Sequence, residues 1–498
     1  MVEEYVCRNG AGKYLAGLLT DTSFSPGEGP VPGPDKQKVF MFEFRCWRVL
    51  TCLWLIMCAG SLQAGPGSVP SEFGLSPIEV STARSYAPFA QGAQASYFNP
   101  AGLSIDPENS MALGSVYASP GLKIQSRGGK EPAFRTSPSS NTGENNMVML
   151  GLELDLSNLT TFDVPVGFGL QMGIDGGGRD LLQIQDTVSD AGQPAFFGKK
   201  PLVIASGIGI GVYRGIYLGL GGVISLTARA PIKLRTTLGG ETSEQEIMVT
   251  GDTRGSPIFG LRLEPSEWFN EDNFFSDFSL ALSWRNHSYF ALEMDASADV
   301  EIQSTTLTSV PLAVKSLDGY VPAQYELGIM YRLPWKIELA GSFEFQNWKR
   351  LNSLISERSD VSNQSDIEFR NIVVPSAGVT YSGLAKHTGL EFFEGLKLRG
   401  GYSYKRSPLK SEITPGVNLL DADRFILATG LSWTFSVPGM TNPVSVDLAY
   451  QKHQLKSRNT SIAPPYDGPP IFAVPDVVER VSLSGQVNAF AVSATLRF

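Results

Sequence analysis

Three histidines, His287, His387 and His453, are all the imidazole in this 498-residue chain, and they are 100 and 66 residues apart. Acyl transfer needs a histidine beside a serine or cysteine, and a zinc site needs histidines or cysteines at short paired spacings. Neither pattern is present. The four cysteines, Cys7, Cys46, Cys52 and Cys58, crowd the first 58 residues and leave the rest of the chain without a thiol. No catalytic residue, metal site or cofactor is expected. The run Gly207-Ile208-Gly209-Ile210-Gly211, then Gly215, imitates a phosphate-binding loop. Such a loop must open a helix, and no helical period follows. Leu202, Ile204, Ile208, Ile210 and Val212 share one face of a strand instead, with the glycines as spacers on the other.

Charge at strand spacing is the remaining chemistry. Lys397, Arg399, Ser403 and Lys405 alternate with Leu396, Leu398, Tyr402 and Tyr404. One face could therefore hold a carboxylate headgroup through charge-assisted bonds, or pair with Glu338, Glu344 or Asp447. Asp421, Asp423 and Arg424 stand where a long loop meets a strand and read as an ion pair pinning that loop. Phe73, Leu75, Tyr86, Phe89, Tyr97 and Phe98, with Lys397 and Arg399, are the candidate ligand contacts.

The elements that must position these residues are strands. At the end of the chain Phe490, Val492, Ala494, Leu496 and Phe498 share one face, and Ala489, Ala491, Ser493, Thr495 and Arg497 the other. An alternating strand that stops on an aromatic residue is how an outer-membrane barrel closes. Period two predicts fourteen strands, at 111–124, 147–157, 164–174, 201–212, 215–229, 257–264, 277–300, 321–332, 335–346, 372–381, 395–405, 424–435, 443–454 and 486–498, the sixth being the weakest. Short links at 158–163, 213–214, 333–334 and 436–442 alternate with long ones, which is the periplasmic-turn and external-loop pattern of a bacterial barrel. The 18% charged fraction is low for a soluble domain, and no apolar run reaches the ~18 residues of a spanning helix. In such a barrel an outward Lys or Arg near mid-bilayer costs roughly 2–4 kcal/mol, so the cations at 397, 399 and 405 are expected inside.

Val49–Ala59, preceded by Arg45 and Arg48, has the length of a signal-peptide core. Residues 41–64 are expected to be a secretory signal cut after Ala64, with 1–40 an extension from a misassigned start. Six basic and six acidic residues in 1–64 cancel, so the net charge of −9 is that of the remainder too. An acidic chain does not favour nucleic acid. Residues 65–108 do not alternate but carry aromatic anchors, as a plug does, and the barrel is expected over 109–498.

Tyr97-Phe98-Asn99-Pro100-Ala101-Gly102-Leu103 resembles the hatch motif of the FadL family, outer-membrane transporters of long-chain fatty acids and aromatic hydrocarbons. Ala83-Arg84-Ser85-Tyr86-Ala87, Phe345-Gln346-Asn347-Trp348-Lys349-Arg350 and Leu398-Arg399-Gly400-Gly401-Tyr402-Ser403-Tyr404-Lys405-Arg406-Ser407-Pro408-Leu409 are similar to further signatures of that family, as is Asp421-Ala422-Asp423-Arg424-Phe425. Gln91–Ala95 departs from it in lacking the acidic pair before Asn-Pro-Ala.

The resemblance implies a Gram-negative outer-membrane, all-β, fourteen-stranded antiparallel barrel with an N-terminal hatch, in which Asn99, Pro100 and Ala101 close the plug. It implies passive passage of a hydrophobic small molecule, a fatty acid or an aromatic hydrocarbon, through a monomer that is not an enzyme. Outer-membrane lipid, lipopolysaccharide and the barrel-assembly machinery are the implied partners. A secretion or assembly role on the same scaffold is the alternative. The family's third strand kinks to open a side window, and Pro165, Gly167, Gly169 and Gly173 stand where that kink would be; an ordinary strand with small lumenal residues reads the same positions equally well.

Overall fold

Alternation becomes fourteen strands. The computed structural model describes residues 69–129, 145–159, 164–175, 193–194, 202–225, 231–237, 242–253, 255–269, 274–302, 305–358, 368–390, 393–410, 419–462 and 479–498. The expected signal and extension lie outside these residues. The wall is formed by β1 (Ser110–Gly129), β2 (Asn145–Asp155), β3 (Val166–Asp175), β4 (Leu202–Tyr213), β5 (Ile216–Ser225), β6 (Ser256–Leu263), β7 (Phe278–Arg285), β8 (Ala323–Leu333), β9 (Ile337–Asn347), β10 (Ile372–Tyr381), β11 (Leu396–Lys405), β12 (Arg424–Phe435), β13 (Val444–Ile462) and β14 (Glu479–Arg497). Each pairs antiparallel with the next, and β14 closes on β1 from Ser110↔Arg497 to Gly129↔Glu479. Closure removes the unpaired edge that hydrocarbon would not tolerate. Among the described residues no helix could cross a membrane.

The faces follow the sequence. On β14 Phe490 is 52% exposed, while Ala489, Ala491 and Ser493 are buried against the lumen's contents. The links on the end that holds Phe498 are the shorter set, down to Arg214-Gly215 and Pro334–Lys336, and that end is periplasmic. Val492→Arg, on the lipid face, is expected to cost roughly 2–4 kcal/mol and to reduce the heat-modifiable folded barrel. Ser493→Arg points inward, where Asp447 lies 3.2 Å from the Ser493 hydroxyl, and should lower the folded fraction much less. Equal losses in the two variants would reverse the assignment of faces.

The seventh strand is shorter than expected. Instead of running to residue 300, it leaves the wall after Arg285, and Ser288–Ile302 joins Thr305–Val321, Thr242–Thr253 and Pro231–Thr237 in a separate four-stranded sheet on the external side. The reason is local. The ladder of β7 with β6 ends at Arg285↔Ile258 and that with β8 at Arg285↔Gln324, and the Asn286 amide makes a last bond to the wall, to the Pro257 carbonyl at 3.1 Å, before the chain enters the new sheet. Alternation carries on through the new sheet, and period two alone therefore could not mark the exit.

Candidate functional site: a hatch seated in the lumen

Residues 69–108 fill the lumen as short helical turns whose caps explain the sequence. Ser76 caps the turn Pro77–Ser81, its hydroxyl accepting from the Ile78 amide at 3.2 Å and donating to Glu79. Asn99 does more. Its Oδ1 accepts from the Ala101 amide at 3.2 Å, capping Pro100–Ser104, while its Nδ2 donates to the Pro88 carbonyl at 2.8 Å and, across to the wall, to the Leu261 carbonyl at 3.3 Å. Proline at the first position of a turn forfeits no hydrogen bond. Ala101 is fully buried, and a Cβ on Gly102 would strike the Ala90 carbonyl. The Asn-Pro-Ala-Gly motif is thus one cap, one pre-set φ and two positions without room.

This turn lies directly on glycines of the wall. A side chain at Gly167 would meet the Leu103 carbonyl, one at Gly219 the Pro100–Ala101 peptide, and one at Gly260 the Asn99 side chain. At Gly209 the Pro100 carbonyl and Ser104 amide would lie 2.6 and 2.8 Å from the new carbon. The glycine spacers of β4 therefore face the lumen, and they make a seat. β3 carries no kink. Its ladders run unbroken from Met147↔Asp175 to Asp155↔Gly167 on one side and from Val166↔Ile210 to Ile174↔Leu202 on the other. Of the side-window candidates, Gly167 and Gly169 are filled by Leu103 and Ser96, Gly173 by Leu75 and Met147, and Pro165 packs beside Gly211. The small residues of this strand leave room for the seated hatch.

Ion pairs tie the hatch to the other wall. Buried Glu72 accepts from Lys405 at 2.8 Å and from Arg424, whose other nitrogen is 3.8 Å from Asp421. Burial alone would raise the Glu72 carboxyl; Arg424 and Lys405 override it and hold it down at about 2. Glu79, equally buried but paired only with a hydroxyl, is pushed up to about 7 by burial. Arg84 bridges to Glu344 at 3.2 Å, donates to the Ser71 carbonyl at 2.8 Å and lies 5.9 Å from the Phe98 ring. It does so from a left-handed backbone, φ +68° after Ala83 at +48°, a strain that persists only where the surroundings fix it. Arg285 lies over the Tyr97 ring at 4.2 Å and bonds Gln324, and Arg262 donates to the Phe89 carbonyl at 3.1 Å while pairing with Glu264 at 2.7 Å.

The candidate ligand contacts divide accordingly. Phe73, tilted against the His453 ring at 4.9 Å, and Tyr97 and Phe98, edge to face at 5.0 Å, are buried in the hatch–wall junction. Leu75, Tyr86 and Phe89 are mostly buried but reach a cavity of about 440 Å³ at the periplasmic end, together with Lys397, Arg399, Arg332, Glu338 and Asp447. Tyr86 donates to the Glu338 carbonyl at 2.9 Å, and Arg399 pairs with Asp447 at 3.8 Å. The cations of β11 do point inward. Their partners are Asp447 and the hatch, and Arg424 pins the hatch more than the loop. Sequence reading missed Glu72, Arg262 and Arg285; the only hint was charge at lumenal positions of otherwise apolar segments.

The two halves of the lumen differ. On the external side Val116, Met147, Val203, Val223, Ile258 and Val487 form one buried apolar cluster with Phe73, Leu75, Tyr97 and Phe98 of the hatch. On the periplasmic side the wall is polar, with Glu153, Arg332, Lys397, Thr434, Ser445 and Arg497 lining the cavity.

The profile of the outer-membrane protein transport family (OMPP1/FadL/TodX) matches residues 276–498. Alkane uptake protein A of Marinobacter nauticus is 29% identical over 444 residues, which is 87% of this chain and 92% of that protein. A solved structure of a Pseudomonas aeruginosa FadL homologue superposes with a TM-score of 0.51 at 12% identity, covering 88% of this chain and all of that one, a likeness of fold. With the closed fourteen-stranded wall, the profile match places the protein in the Gram-negative outer membrane, and over residues 276–498 the chain is similar to the FadL/TodX transport proteins.

Proposed function

We propose that this barrel takes up uncharged long-chain hydrocarbon across the outer membrane, passively, with residues 69–108 as the gate. The observation that carries this is the state of the lumenal cations. Lys405 and Arg424 are committed to Glu72, Arg84 to Glu344 and Arg399 to Asp447. A fatty-acid carboxylate drawn to any of these four cations would have to displace its partner, and a buried carboxylate without a cation is costly. A neutral chain meets no such cost. It gains about 0.8 kcal/mol for each CH₂ removed from water, so an apolar path beside the hatch suits it where an aqueous pore does not. The relative's name, an alkane uptake protein, supports the same class.

On this reading ligand contacts Phe73, Tyr97 and Phe98 only as the hatch shifts, and release sideways through β3 requires Leu103 and Ser96 to leave Gly167 and Gly169. Uptake of labelled hexadecane, toluene and oleate by cells with and without the protein tests the proposal. Hexadecane is expected to enter several-fold faster with the barrel present, and oleate is not. Equal acceleration of oleate would return the ligand to the fatty acids.

A further inference from the structure

Lysines on the outer rim are unevenly placed. At the external ends of β2–β10 the outward wall positions are uncharged, among them Asn146, Leu202, Ile224, Trp284, Tyr325 and Val373. On β13 and β1 they are not. His453 and Leu455 are buried toward the lumen, so Lys452 and Lys456 stand on the other face, and Leu122 packs on the lumenal cluster, so Lys123 does too. Among the described residues none of the three makes an ion pair.

The register sets their spacing. Lys452 pairs across the ladder with Asn488 and Lys123 with Ser484. Lys456 stands just beyond Leu455↔Gly485, where the β13–β14 ladder shifts register before Arg458↔Leu483, at about the strand level of Lys123, and Lys452 lies four residues, about 13 Å, further down β13. Directly beneath Lys452, the Tyr450 and Phe490 rings meet at a tilt, centroids 5.0 Å apart, Tyr450 donates to Asn488 at 2.9 Å, and Tyr117 faces Phe490 in register. Aromatic residues at this position mark the boundary of the apolar band. The lysines therefore stand above the hydrocarbon, in the headgroup layer. Asp423, whose carbonyl accepts from the Lys456 amide at 2.7 Å, has its carboxylate occupied by the Tyr404 hydroxyl and the Ser407 amide.

We propose that Lys123, Lys452 and Lys456 form a binding surface for the phosphate groups of outer-leaflet lipopolysaccharide. The spacing suits a headgroup that carries more than one phosphate, and ammonium side chains held near an anionic membrane surface bind it additively. The protein as a whole carries a net charge of −9, so a leaflet dense in phosphate would repel it without a local patch of opposite sign. The inference rests on the outer-membrane location and is independent of the ligand taken up.

Purified folded barrel, titrated in detergent with bis-phosphorylated lipopolysaccharide and followed by native mass spectrometry, tests it. The triple variant Lys123→Glu, Lys452→Glu, Lys456→Glu is expected to lose about ten-fold or more in affinity. A charge-matched variant with Lys336→Glu, Lys349→Glu and Lys386→Glu is expected to bind as wild type, and dephosphorylated lipopolysaccharide is expected to bind wild type as poorly as the intact lipid binds the triple variant. Wild-type affinity in the triple variant overturns the proposal. So does equal binding of the dephosphorylated lipid, or equal competition by phosphatidylglycerol. If the triple variant does not fold, as judged by heat-modifiability, Lys452→Gln alone is expected to cost about five-fold, and no loss there overturns it as well.

Discussion

Glu72→Ala is expected to release the hatch while leaving the barrel folded. The carboxylate lies between Lys405 and Arg424, all three buried, and removing one partner of a buried ionic group costs about 3–5 kcal/mol because the remaining charges stay desolvated. The wall keeps its ladders, since neither cation contributes its side chain to them. The hatch should then become sensitive to protease from the periplasmic side, and cells should become sensitive to hydrophilic antibiotics that the wild-type barrel excludes. Glu72→Gln, which keeps the shape and loses the charge, should fall between. The effect of pH has a definite sign. A carboxyl held at about 2 against an ordinary 4.5 contributes stability that is full above about pH 4.5 and is lost as the pH falls toward 2. Wild-type hatch protection should therefore decline below about pH 5 as Glu72 takes up its proton, and Glu72→Ala should lack that step, whereas protonation of Glu79 between about pH 7 and 5 acts in the opposite direction in both proteins. Wild-type protease resistance in Glu72→Ala would remove Glu72 from the anchoring of the hatch.

The wall was legible in the sequence because its signal is local. Every barrel strand lies where period two puts it, and the cations of β11 point inward because lipid forbids the other face. The end of β7 was not legible, since Ser288–Ile302 alternates as a strand should and the point where the wall ladders stop, at Arg285 and Asn286, leaves no mark on that alternation. The anchors of the hatch were hidden for a different reason. Glu72 meets Lys405 and Arg424 across 333 and 352 residues of chain, a separation that no pattern of spacing encodes. The glycines of β3 were ambiguous in a third way. A glycine shows that a side chain is missing and says nothing of what fills the space, so the same residues fitted a kink, an ordinary strand or, as the structure has it, the seat of Leu103.

That seat supplies the second large effect. Gly219→Val should displace the hatch and open the lumen, because the new carbon would overlap the Pro100–Ala101 peptide, and backbone cannot swing aside as a flexible side chain does. Valine suits a strand, so the wall itself should assemble at least as well as wild type. Gly222 on the same strand is the control: there a Cβ would meet only the Ser256 carbonyl, at 3.6 Å, and Gly222→Val should leave the hatch seated. A fourteen-stranded barrel has a lumen wide enough to conduct once nothing fills it. In planar bilayers Gly219→Val should pass ions where wild type and Gly222→Val are nearly closed, and in cells it should admit hydrophilic antibiotics while losing selective uptake of hydrocarbon. If Gly219→Val folds and conducts no more than Gly222→Val, the turn Pro100–Ser104 yields to a side chain, and the hatch is not held shut by its seat on β4–β6.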